Sequence, residues 1–252
     1  RRAEGFGVGN LFRTWVVNKM TEADPTIHVL SQSSTPKDDM KCSGETSFAK
    51  NWNKMYEAGI ALFNSTDNSG HSHPTTCTVS DPAAAIGVFS VGAYKVEEDG
   101  TSNIASFSAR GGGWGGPSVP KRSIIDITAP TTFEFPYAAS SRSEELYGPG
   151  RFGGTSAATP AVAGAAVVFR DFYHREHSFL IDSPGILYAN LLLMGDRAAE
   201  DRSEIFDTDD ADDVPVSSLT GFDSLWGAGR LRMRMWNKAG LDRPARWQTG
   251  RL

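Results

Sequence analysis

The chain is poor in the features that mark several protein classes. It has only two cysteines, Cys42 and Cys77, in 252 residues. These allow one bridge at most and do not establish an oxidising compartment. No apolar run is long enough to span a bilayer. Lys and Arg total 25 against 30 Asp and Glu, a net charge of −5. The basic footprint expected of a nucleic-acid binder is therefore missing. There is no internal repeat and no linker-like stretch, so residues 1–252 are expected to form a single domain. The chain opens on Arg1, without an initiator Met or a signal peptide, and so reads as a processed or excised piece. What remains is ordinary globular composition: 39% hydrophobic, 22% charged, with 26 glycines.

The most informative stretch is Gly153-Gly154-Thr155-Ser156-Ala157-Ala158-Thr159-Pro160-Ala161-Val162-Ala163-Gly164. Two glycines permit a tight turn and a close approach by another backbone. An apolar, alanine-rich run to about Tyr173 follows and predicts a helix starting near Ser156. Pro160 fits such a helix only in its first turn, where a missing N–H costs little. The Ser156 hydroxyl then sits at the positive end of the helix, where unpaired N–H groups favour a developing negative charge. Taken alone, Ser156 also fits a plain N-cap. The Gly-x-Ser-x-Gly signature is not met, because Ala158 stands in place of its second glycine.

The whole run resembles the nucleophile motif of the subtilisin-like serine proteases (subtilases), Gly-Thr-Ser-x-Ala/Ser-x-Pro-x-Val-Ala-Gly. Other segments extend the resemblance from about Asn10 to about Lys238. Residues 86–93 are similar to the family's Val-Ile-x-Val-Gly-Ala strand, and Ala105-Ser106-Phe107-Ser108 to its Ala-Ser-Phe-Ser. Asp126-Ile127-Thr128-Ala129-Pro130 is similar to its Asp-Val-x-Ala-Pro strand end. Trp226-Gly227-Ala228-Gly229-Arg230-Leu231 resembles the element that starts the last helix. By resemblance, the oxyanion-hole asparagine belongs in the loop 64–70, where the family has Ala-Gly-Asn-x-Gly. Counting from Gly59 assigns Asn68, with Asp67 replacing the usual glycine. Asn64 is the competitor if the loop is one turn longer. An asparagine there matches the subtilisin branch rather than the sedolisins, which carry aspartate at that position.

Ser33, Ser34 and Thr35 follow a short apolar strand and resemble in position the segment that binds extended substrate and walls the primary pocket. The family usually has Ser, a large apolar residue, then Gly, so the pocket's shape departs from the pattern. The floor is expected near Ser80, and the small polar residues imply a roomy pocket without a fixed charge. The resemblance also makes the loops bearing Cys42 and Cys77 neighbours, which leaves a bridge between them open.

Hydrophobic spacing predicts helices near 10–21, with Leu11, Trp15, Val16 and Met20 on one face, near 46–58, near 156–173, and over Pro184 to Met194. Strands are expected near 27–32, 59–64, 86–92 and 124–128, with a short β-excursion over Phe133 to Ala138. The alternation gives an α/β fold, a mostly parallel sheet with helices on both faces. By resemblance this is the three-layer subtilase fold without its N-terminal strands.

Serine-based peptide hydrolysis needs a base, and a group to orient it. The family supplies them in Asp-[Ser/Thr]-Gly and His-Gly-Thr, and neither motif occurs here. His28 reads as a structural histidine, His71 and His73 as a solvated loop, His174 and His177 as a solvated helix end. The resemblance thus implies a serine endopeptidase acting on polypeptides through Ser156 and Asn68, with Asp and His on an upstream segment. That segment would also cover the sheet's open edge. A subtilase-like scaffold without catalysis is the alternative. No cofactor is expected, and no nucleic-acid or membrane partner. The carboxylate run Asp207 to Asp213 has oxygen ligands for calcium. It lacks the glycine and distal glutamate of an EF-hand and reads as a solvated acidic loop. Gly111 to Gly116, with Trp114, reads as a glycine-rich loop. The family leans toward secretion; the sequence itself assigns no compartment.

Overall fold

In the computed structural model the described residues are 14–16, 18, 27–33, 42–70, 77–96, 102–111, 124–138, 147–177, 183–196 and 225–232. Of these, 133–138, 147–151 and 175–177 are described by their backbone alone. Ser34, Thr35, His71, His73, Trp114 and Asp207 to Asp213 lie outside the described residues.

Short apolar runs set the sheet, and β2 and the first seven residues of β3 are buried throughout, as in a parallel sheet covered on both faces. Strands β1 (Val29–Gln32), β2 (Ala61–Ser65), β3 (Val88–Val96) and β5 (Ile127–Pro130) pair side by side, all parallel. A short β9 (Arg230–Leu231) continues the parallel run beyond β5. Two antiparallel additions, β4 (Ser102–Ile104) on β3 and β8 (Gly195–Asp196) on β9, complete it. A separate hairpin joins β6 (Phe133–Ala138) to β7 (Tyr147–Phe152). Among the described residues, β1 is paired on one side only.

Each sheet face meets its own helices. Ala61 and Phe63 of β2, Phe89, Val91 and Ala93 of β3, and Ile127 and Ala129 of β5 form one face. They pack on α2 (Thr155–His177) through Ala158, Val162, Ala166 and Phe169, residues spaced for one helical stripe. Small residues on that stripe let the helix axis lie close to the sheet. Helix α3 (Pro184–Leu193) joins this core through Leu187 and Leu191. On the opposite face Leu62 and Val88 meet Ala49, Trp52 and Met55 of α1 (Ser47–Glu57). Fully burying one such large apolar side chain contributes roughly 1.5–3 kcal/mol.

The ends of α1 follow from its sequence. Thr46 is the N-cap and accepts from the Ala49 N–H, and the buried Asp81 carboxylate takes the Thr46 hydroxyl at 2.6 Å and the Gly44 N–H at 3.1 Å. Gly59, at φ +95°, closes the helix by donating to the Tyr56 carbonyl. Cys42 and Cys77 are bridged, with Cα atoms 6.0 Å apart.

Three expectations change. Around Trp15 and Val16 the described residues are helical, and among them Val16 is buried against the α1 cluster while Trp15 is exposed; Leu11 and Met20 lie outside the described residues. Consecutive residues lie about 100° apart on a helix, so one packed edge cannot take both. Arg230 and Leu231 form a short sheet strand between β5 and β8, and the helix expected to follow them lies outside the described residues. Helix α2 begins at Thr155, which moves Pro160 past the first turn.

Candidate active site

The carboxyl ends of β1 and β2 and the start of α2 meet at one point, where open α/β sheets bind ligands. Helix α2 opens without a side-chain cap of its own, because the residue before Thr155 is a glycine. That glycine is required. Gly154 has φ +78°, and a Cβ there would lie 3.0 Å from Asn68 Nδ2. The cap comes from across the fold. Asn68 Oδ1 accepts the Thr155 N–H at 2.9 Å and the Thr155 hydroxyl at 3.1 Å. With Oδ1 committed in this way, the exposed Asn68 presents Nδ2 as a donor with no acceptor among the described residues. The Ser156 N–H lies in the first helical turn, where no carbonyl of the helix can reach it.

Pro160 has no N–H, so the carbonyl four residues earlier, that of Ser156, loses its helical donor. Ser33 supplies the replacement, its hydroxyl donating to the Ser156 carbonyl at 2.9 Å. In return the Ser156 hydroxyl donates to the Ser33 carbonyl at 3.2 Å. Ser33 therefore lies directly against Ser156, at the same end of the sheet. The displaced proline and the residue after β1 thus form one arrangement.

Next to Asn68 stands Asp67, a non-glycine residue at φ +98°. Its carboxylate accepts the Asn68 N–H at 2.5 Å and the hydroxyl of the buried Ser80 at 2.5 Å. Its carbonyl accepts from Ala109 N at 3.1 Å and from the Thr155 hydroxyl at 3.3 Å. A carboxylate thus abuts Ser80, where the sequence led us to expect small polar groups alone. Asn64, the competing asparagine, is fully buried in β2, with neither side-chain atom hydrogen-bonded.

Among the described residues no histidine reaches Ser156. His28 precedes β1, five residues or roughly 16 Å of extended chain before Ser33. His174 lies eighteen residues along α2, about 27 Å from the serine. Among the described residues the Ser156 hydroxyl thus has the Ser33 carbonyl as its acceptor, the Asp67 carboxylate being engaged by the Asn68 N–H and the Ser80 hydroxyl.

The subtilase family model matches residues 2–178. A comparison with curated proteins finds no match. Several solved structures share the fold. Sphericase superposes with a TM-score of 0.57 at 23% identity, over 90% of this chain and 63% of its own. A lanthipeptide protease gives 0.57 at 17% identity, over 89% and 65%. The S41 psychrophilic protease gives 0.55 at 21%, over 90% and 63%. The chain thus spans less than two thirds of the length of these structures. With a matching family model over most of its length and that fold, the chain belongs to the subtilases, a family of serine proteases.

Proposed function

We propose that this chain is the nucleophile-bearing part of a serine endopeptidase. Ser156 attacks the scissile carbonyl, and Asn68 Nδ2 with the Ser156 N–H binds the oxyanion. An upstream segment supplies the aspartate and histidine. The observation that carries this reading is Asn68: its Oδ1 is held by Thr155 at 2.9 Å, one residue from Ser156, which leaves its amide donor uncommitted among the described residues. Donors fixed before the reaction need no reorganisation as charge develops, and such electrostatic stabilisation does more than any other single effect to speed many reactions of this kind.

The upstream segment is supported by two features. Strand β1 is paired on one side only among the described residues, and an open strand edge is a liability that proteins cover. The similar structures are also longer than this chain. Ser33, with Ser34 and Thr35 beyond it, forms a substrate-binding wall in this reading.

A serine-directed fluorophosphonate tests the proposal. The full-length gene product should label quickly at Ser156, and S156A should abolish the label. The 252-residue chain alone should label very slowly, because a serine without a base keeps its proton at neutral pH. Loss of the serine or the histidine alone costs about 10⁶-fold in kcat in subtilisin. Fast labelling of the isolated chain would assign the base to His71 or His73. Absence of labelling in the full-length protein would leave the scaffold reading.

A further inference from the structure

Resting on the oxyanion reading above, we propose that Asp67 is a positioning residue for Asn68, acting with Ser80 as its anchor. In the motif this chain resembles, a glycine precedes the asparagine, and the backbone turns there without help. Here an aspartate holds the same left-handed turn, at φ +98°, a region that favours glycine. A side chain that strains the backbone persists where its surroundings over-determine it.

Four hydrogen bonds do so. Asp67 Oδ1 takes the Asn68 N–H and Oδ2 takes the Ser80 hydroxyl, each at 2.5 Å. The carbonyl takes Ala109 N and the Thr155 hydroxyl. Ser80 is itself fixed, being buried and donating its N–H to the Thr66 carbonyl at 3.2 Å. The carboxylate thus spans from the backbone of Asn68 to a second, rigid segment of the core. Bonds to an ionised acceptor are the strong ones. The Asp67–Asn68 peptide is held in one orientation, and with it the plane from which the Asn68 side chain reaches Thr155.

The substitutions separate position from stability. In the full-length protein, D67G removes the carboxylate while giving the turn its preferred residue. Its melting temperature should hold or rise, while kcat falls about tenfold with KM unchanged, the mark of a misplaced donor. D67N keeps an acceptor for the Asn68 N–H and should retain most of kcat. S80A, which cuts the anchor alone, should fall between them. A merely structural aspartate would instead lower the melting temperature in D67G and leave the kcat of the folded enzyme intact.

N68A provides the reference. If N68A lowers kcat and D67G does not, the positioning role is overturned and the oxyanion reading stands. If N68A leaves kcat unchanged, the oxyanion reading fails, and the side-chain amide resonances of Asn68 then decide the positioning role. Broadening of that NH₂ pair in D67G and S80A, with sharp lines in D67N, supports it; sharp lines in all three overturn it.

Discussion

Ser33 and Ser156 bond to each other in both directions, hydroxyl to carbonyl at 2.9 Å one way and 3.2 Å the other. The first bond exists because Pro160 cannot donate to the Ser156 carbonyl. The two residues are therefore energetically coupled to a third that touches neither hydroxyl. S33A should cost about 0.5–1.5 kcal/mol, the net worth of such a bond. In a P160A background, where a helical N–H returns to the Ser156 carbonyl, S33A should cost measurably less. A denaturant-based double-mutant cycle reads the difference, and strict additivity would break the argument.

On the proposed reading Asn68 has two jobs that mutation can separate. N68A removes both the cap on α2 and the amide donor. It should lose about 1 kcal/mol of stability and ~10²–10³ in kcat. N68D retains an oxygen for the Thr155 N–H but has no donor to offer. Calorimetry should find N68D near wild type in melting temperature, and peptide-cleavage assays should find it as impaired as N68A.

Gly154 tolerates no side chain. At φ +78° an alanine is strained, and its Cβ would press on the Asn68 amide. G154A should lose about 1–3 kcal/mol of stability and most activity. G164A is the control: a Cβ at Gly164 meets nothing within 4 Å, and alanine improves a helix interior by up to about 1 kcal/mol.

The Cys42–Cys77 bridge closes a loop with a sequence separation of 35, which holds α1, β2 and the loop bearing Asn68. Replacing both cysteines by alanine should cost about 2–4 kcal/mol. The comparison is urea unfolding of the variant against the oxidised protein, and equal midpoints would contradict it.

Tyr188 ties α3 to the sheet. Its hydroxyl accepts the Leu62 N–H at 2.6 Å and faces the Leu62 and Gly87 carbonyls at 2.9 and 3.1 Å. Burial pushes its phenol well above the usual range. A raised pKa in the folded state means that this contribution to stability is whole below about pH 10 and is lost as the pH rises above it. The stability of wild type should therefore fall on the alkaline side more steeply than that of Y188F. Y188F itself should cost about 1–3 kcal/mol at neutral pH, through the unsatisfied Leu62 N–H.

The sequence was legible where one short-range rule governs. Short apolar runs gave β1, β2, β3 and β5, and helical spacing near 46–58 gave α1, observed over Ser47–Glu57. Ser156 stood out because glycines, serine and proline share one local geometry. What stayed hidden depends on partners distant in sequence. Strands β8 and β9 are two residues each, too short for any period, and exist only through their pairing. The left-handed φ of Asp67 is stabilised by Ser80, thirteen residues away, and an aspartate carries no local sign of it. One clue was readable: Asp67 occupies a place where the resemblance calls for glycine, and that substitution needs compensation somewhere.

The bonds that assemble this site span 123 residues between Ser33 and Ser156 and 87 between Asn68 and Thr155. Contacts of that separation must first overcome the entropy of closing long loops, so they come late in folding. A collapsed chain with its helices formed but β1 and β2 undocked would carry the serine without its fixed donors. On the proposed reading, competence to cleave would thus appear only with the finished fold, and a chain still folding could not cut itself.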